Sequence, residues 1–214
     1  MSKALHSSNK TTKNTNILVR ELHAGHREGI RAHLLALCEE DRMLRFGMIA
    51  IDSVISDYVD SIDFARDSVF AVFDEKLEIL GMAHLAYQPI AKNNSVTAEF
   101  GVSVSEEGRG FGVGSALFER AFIHGRNTKV DILYVHCLSS NAAMMHIARK
   151  AGMTVEFAYG EADAYLRLPP GDKSTLMAEA IQEQAAEIDY TIKDSVNKAK
   201  RISASFWKMP ALAA

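Results

Sequence analysis

The chain has 214 residues, 48% of them apolar and 24% charged, with a formal net charge of −3. That length fits one domain with an appendage and a substantial core, and the composition is ordinary for a soluble globular protein. The mild acidity gives no reason to expect nucleic acid or an anionic membrane as partner, and no apolar run is long enough to predict a transmembrane helix. Two cysteines, Cys38 and Cys137, without a secretory signal predict reduced thiols and a cytoplasmic protein.

Residues 1–15 are polar and read as a disordered tail. Residues 16–22 (NILVREL) predict a first strand, and Ile30, Leu34, Leu35 and Cys38 recur at helical spacing over residues 27–42. After the segment EEDRMLRFGM, Asp52 is expected to cap a second helix over residues 53–60. Residues 68–74 and 77–87 predict a hairpin turning at Glu75 and Lys76, and residues 95–103 the next strand. A helix follows over residues 112–126, with Leu117, Ala121 and Phe122 facing the sheet. The run VDILYVHCL, dense in branched apolar residues, predicts a central strand over residues 130–138. Asn141 sits in the capping run before a helix that Gly152 stops near Lys150, and residues 155–159 and 164–168 predict a closing hairpin across Gly160. Pro169, Pro170 and Gly171 end this domain, expected to span residues 16–170.

The run AEFGVSVSEEGRGFGVGSAL, residues 98–117, organises the rest. Phe100, Val102 and Val104 alternate with Glu99, Gly101 and Ser103, which is strand periodicity; the glycine-rich turn Arg109-Gly110-Phe111-Gly112-Val113-Gly114 then opens a helix. A strand, a glycine turn and a helix N-terminus make an anion site, because close backbone, outward N–H groups and the helix dipole all favour negative charge. A pyrophosphate is the expected guest. The phosphate loop of nucleotide triphosphatases would need a Lys followed by Ser or Thr after these glycines, and there is none. The dinucleotide fingerprint would need a glycine where Ser115 stands.

What the run does match is R/Q-x-x-G-x-G/A, with Arg109, Gly112 and Gly114 in the fixed places. It resembles the acyl-CoA pyrophosphate loop of the GNAT superfamily of N-acetyltransferases. The element order is similar to that superfamily over roughly residues 16–168. The resemblance implies an α/β (α+β) fold whose mixed, mostly antiparallel sheet has splayed central strands that admit the pantetheine arm. It implies acetyl-CoA as cosubstrate, with Arg109, Gly110, Gly112, Val113, Gly114 and Ser115 at the pyrophosphate. The backbone near Val102 and Val104 would then polarise the acyl carbonyl.

The later run SSNAAMMHIARKAGM is similar to the family's NxxAxxLYxxxGF segment, with Asn141, Met144, Ile147, Gly152 and Met153 in matching places. Asn141 would lie against the CoA arm. Ala148 stands where the family commonly has a Tyr that protonates the leaving thiolate, so that acid is absent here. Bacterial protein lysine acetyltransferases resemble the chain at residues 141–153, at Ala98-Glu99-Phe100 and at Leu44-Arg45-Phe46. By that resemblance Glu99 is the expected general base for an amine acceptor.

Other titratable groups weigh less. Only one of His136 and Cys137 can face the cleft, since they alternate on one strand. His23, His26 and His33 lack the spacing and acidic company of a metal set, so no metal is expected. Arg42 and Arg45 leave two alternatives, an acidic substrate or ion pairs with Glu39 and Asp41. Residues 171–214 carry Met177, Ile181, Ala185, Ile188, Ile192, Val196, Ala199 and Ile202 at helical spacing, predicting a C-terminal amphipathic helix. It either packs on its own domain or forms a homodimer contact. The expected function is acetyl transfer to a protein lysine or a small amine. The alternative is a non-catalytic acyl-CoA sensor or scaffold acting through that helix.

Overall fold

The structure is a computed structural model that describes residues 17–89 and 94–207. The expected N-terminal tail and part of the 88–94 loop lie outside the described residues. Among the described residues the chain forms one seven-stranded sheet in the order β1-β2-β3-β4-β5-β7-β6. Its strands are β1 (Arg20–Leu22), β2 (Ser68–Phe73), β3 (Ile79–Tyr87), β4 (Thr97–Val104), β5 (Ile132–Leu138), β6 (Thr154–Ala158) and β7 (Glu161–Arg167). Every neighbouring pair is antiparallel except β4 with β5.

The strand alternation sorts side chains onto two layers. Val69, Ala71 and Met82 face helices α1 (Arg27–Leu35) and α3 (Asp52–Ser61), where Ile30, Leu34, Ile55 and Val59 are fully buried. Phe70, Val72, Leu85 and Phe100 face the other way, against Leu117 and Ala121 of α4 (Val113–Asn127) and Met144 and Ala148 of α5 (Ala142–Lys150). Burial of this apolar surface on both faces is the main stabilising term. Helix α6 (Lys173–Trp207) lies across α4 and β1.

The sequence expectation of one helix over residues 27–42 is corrected. The chain breaks after Leu35 and resumes as α2 (Glu39–Phe46), with Cys38 extended at its start. Arg42 explains the break: its guanidinium donates to the carbonyls of Leu35 at 2.6 Å, Leu37 at 3.0 Å and Ala50 at 3.0 Å, and pairs with Asp52. It thereby satisfies carbonyls that the end of α1 leaves open. Glu39, Glu40 and Asp41 in the first turn of α2 favour its positive end. Asp52 is the first residue of α3 rather than its cap, which is Ile51.

Candidate active site

The glycine loop has the geometry of an anion cradle. β4 ends at Val104, a short 3₁₀ turn covers Glu106–Gly108, and α4 begins after Gly112. Gly108 is buried so closely that a Cβ would meet the Leu80 carbonyl oxygen at 2.7 Å. Gly112 sits at φ +87°, a conformation that glycine adopts without strain, and no side chain caps the helix there. The first backbone bond of α4 runs from Ala116 N to Gly112 O at 3.0 Å. The N–H groups of Val113, Gly114 and Ser115 therefore lie ahead of the helical ladder, at the positive end of the dipole.

This loop borders a cleft of about 560 Å³. Val102, Ser103 and Val104 form one wall, Gly110, Gly112, Val113, Gly114 and Ser115 the end, and Asn141, Met144 and Ile147 the other wall. The wall exists because two strands part. β4 and β5 pair only from Thr97↔Ile132 to Glu99↔Tyr134, although β4 continues to Val104 and β5 to Leu138. Beyond Glu99, the edge of β4 that faces β5 has no strand partner among the described residues, so backbone polar groups are available to a guest inserted between the strands.

A second cavity of about 200 Å³ continues from the first, sharing Leu44, Arg45, Val102, Asn141 and Met144 with it. Glu99, Gly101, His136 and Leu138 also line it. Glu99 is exposed at this mouth, and its charge acts on Tyr58, Tyr134 and His136. His136 Nδ1–H donates to Asp163 Oδ1 at 2.8 Å, and the Tyr134 hydroxyl donates to the same oxygen at 2.6 Å. The hydrogen bond to Asp163 raises the His136 pKa above its ordinary value, and the two donors lower that of Asp163. The Tyr134 and Tyr165 rings stack beside them, 5.1 Å apart.

Behind Gly101 runs a buried polar chain. Arg45 Nη2 donates to the Tyr58 hydroxyl at 2.6 Å, that hydroxyl meets His84 Nδ1 at 2.8 Å, and His84 Nε2 meets Asp67 Oδ2 at 3.3 Å. Burial raises the Tyr58 pKa and lowers that of His84, the latter helped by the Arg45 charge. Arg45 lies directly on Gly101, where a Cβ would come within 2.8 Å of the guanidinium carbon.

The residues expected to hold the acyl donor or to act as base, Glu99, Val102, Val104, Arg109, Gly110, Gly112, Val113, Gly114, Ser115 and Asn141, all border this double cavity, but several have unforeseen partners. Arg109 borders the cleft and is ion-paired with Asp41 of α2. Asn141 is the N-cap of α5, accepting from Met144 N at 3.0 Å, and its amide also donates to the Leu44 carbonyl at 3.4 Å. Arg42 and Arg45 hold carbonyls and Tyr58, not Glu39 or Asp41. His136 and Cys137 both border the second cavity, against the expectation that only one of them would, with His136 exposed and Cys137 buried. Ala148 is fully buried in the core. The Tyr58–His84 and His136–Asp163 pairs were missed. Each joins residues distant in sequence, and only the strand register His136↔Asp163 would have exposed the second.

The profile described as Acetyltransferase (GNAT) family matches residues 27–153. Among solved structures, the chain is similar to the GNAT domain of S. lividans PAT, with a TM-score of 0.59 at 20% identity over 70% of this chain and 89% of that one. It is similar to spermidine N-acetyltransferase from Vibrio cholerae, solved in complex with CoA and spermine, with a TM-score of 0.55 at 18% identity over 72% and 96%. It is also similar to a ribosomal-protein-alanine N-acetyltransferase from Brucella melitensis, with a TM-score of 0.52 at 15% identity over 70% and 97%. At such identities the structures speak for the fold, and the profile, spanning more than half of the chain, speaks for descent. The chain belongs to the acetyltransferase (GNAT) family and is an acyltransferase that acts on amines.

Proposed function

We propose that the acyl donor is acetyl-CoA and the acceptor a primary amine, a protein lysine side chain in preference to a small free amine. The observation that carries this reading is the continuity of the two cavities: an anion cradle at one end, the parted strands between, and Glu99 at the other mouth. In this reading the pyrophosphate takes the N–H groups of Gly110, Gly112, Val113, Gly114 and Ser115, with Arg109 at the rim. The pantetheine arm lies against Val102, Val104 and Asn141. A β4 N–H beyond Glu99 polarises the thioester carbonyl, stabilising charge that develops only in the transition state.

The amine nitrogen attacks the carbonyl carbon, the C–S bond breaks, and Glu99 takes the ammonium proton directly or through water. The thiolate is weakly basic near neutral pH, so Ala148 in place of a phenol is tolerable; His136, held by Asp163, is a titratable donor on the second cavity. The preference for a protein lysine rests on the resemblance to bacterial protein lysine acetyltransferases. The free thiols of Cys38 and Cys137 support a cytoplasmic location.

The test is Glu99→Gln assayed with acetyl-CoA and a lysine peptide, and with spermidine in parallel. Removal of the base should cut turnover by about 10²- to 10⁴-fold with acetyl-CoA affinity unchanged. Unchanged turnover removes Glu99 from the mechanism, and faster turnover of spermidine than of peptide removes the protein acceptor.

A further inference from the structure

Helix α6 turns its polar side inward. Thr175, Glu179, Glu183, Ala186, Lys193 and Asn197 lie toward the chain's own domain, where Glu179 and Glu183 meet Arg120, and Lys193 and Asn197 reach the Phe73 and Glu75 carbonyls. The apolar stripe faces solvent: Ile181 is 62% exposed, Ile188 51%, Ile192 59% and Val196 45%. At 3.6 residues per turn these positions, with Met177 and Ile202, share an arc of about 120° opposite the packed face. A contiguous exposed stripe of large side chains marks an interaction surface.

We propose that a second copy of the chain covers this stripe, α6 against α6, antiparallel about a two-fold axis near Ile192. An isologous interface must complement itself. Outward from Ile192, the sequence meets Ile188 on one side and Val196 on the other, then Ala185 and Ala199, then Ile181 and Ile202. Two copies related by that axis therefore match branched side chains with branched ones and alanine with alanine, and the alanine layers let the helices approach closely. Charge selects the direction. Before Ile192 the helix carries Lys173 against Glu179, Glu183, Glu187 and Asp189; after it come Lys193, Lys198, Lys200 and Arg201 against Asp194. Glu179, Glu183 and Glu187 answer Arg120 and Arg20 in cis, Lys193 answers Asp189 and Glu75, and Lys198 answers Asp194, but Lys200 and Arg201 have no acidic partner among the described residues. Antiparallel pairing sets the basic half against the acidic half, whereas parallel pairing stacks the basic halves on each other.

Sedimentation of the full chain at micromolar concentration tests this. The expected species has twice the 23.6 kDa chain mass, and Ile188→Glu combined with Ile192→Glu returns the single-chain mass with an unchanged circular dichroism spectrum. Direction is read from disulfides in a Cys38→Ala background. Ile181→Cys protein mixed with Ile202→Cys protein should cross-link to each other and not to themselves. A wild-type chain that sediments at single mass, a dimer that survives the double glutamate variant, or self-cross-linking of each cysteine variant overturns the proposal. None of these readouts depends on the acyl-transfer reaction.

Discussion

Glu179 ties α6 to the domain, and its titration should be visible in the stability of the whole chain. Its carboxylate accepts from Arg120 Nη1 at 2.6 Å, from His124 Nδ1 at 2.6 Å and from the Asn127 amide. Burial alone would raise its pKa, but these donors together outweigh burial and bring it from 4.5 down to about 2. At about 1.4 kcal/mol per unit this is about 3 kcal/mol, reduced to about 2 kcal/mol for the solvent that reaches its rim. A folded pKa below the unfolded one means that the contribution is complete above pH 4.5 and is lost as pH falls toward about 2. Glu179→Gln mimics the protonated acid. In urea unfolding near neutral pH the variant should lose about 2 kcal/mol, with Arg120, only 2% exposed, left to Glu183 and Glu21. Near pH 2 the two proteins should converge. A gap that stays constant across this range, or no gap at neutral pH, would refute the assignment.

Three other substitutions follow from the same geometry. Gly108→Ala drives a methyl group to within 2.7 Å of the Leu80 carbonyl oxygen and should cost about 1–3 kcal/mol in chemical denaturation, while weakening acetyl-CoA binding through displacement of the loop. Tyr58→Phe leaves Arg45 and His84 without their shared hydroxyl and should cost about 1–3 kcal/mol by thermal or urea unfolding. Asp163→Asn removes the carboxylate that raises the His136 pKa, so the imidazole, followed by NMR, should titrate at lower pH than in the wild type; an unmoved titration would show that Asp163 does not hold it.

Local signals carried far where the chemistry itself is local. The Arg109–Gly114 turn was legible because glycine is the residue that takes Gly112's positive φ at no cost, and because strand and helix periodicities flank it. Asn141 was legible as a cap because Met144 lies within reach of its side chain by helical geometry alone. The break between α1 and α2 carries no glycine or proline. Its cause is the reach of Arg42 back to the Leu35 and Leu37 carbonyls, though the acidic run Glu39-Glu40-Asp41 was a usable sign of a helix start. The polar inward face of α6 inverts ordinary patterning because the buried Arg120 needs carboxylates more than the helix needs cover. The Arg109–Asp41 and His136–Asp163 pairs depend on tertiary register, which spacing along the chain does not contain.

The most direct test of the central claim is thermal unfolding of the wild-type chain with acetyl-CoA, CoA and NAD added separately. A ligand that binds only the folded state should stabilise it by about 2.7 kcal/mol at about 100 times its Kd. The account predicts a clear upward shift in Tm with acetyl-CoA and none with NAD. Absence of any shift at millimolar acetyl-CoA would contradict it, leaving the cleft between β4 and β5 without its proposed guest.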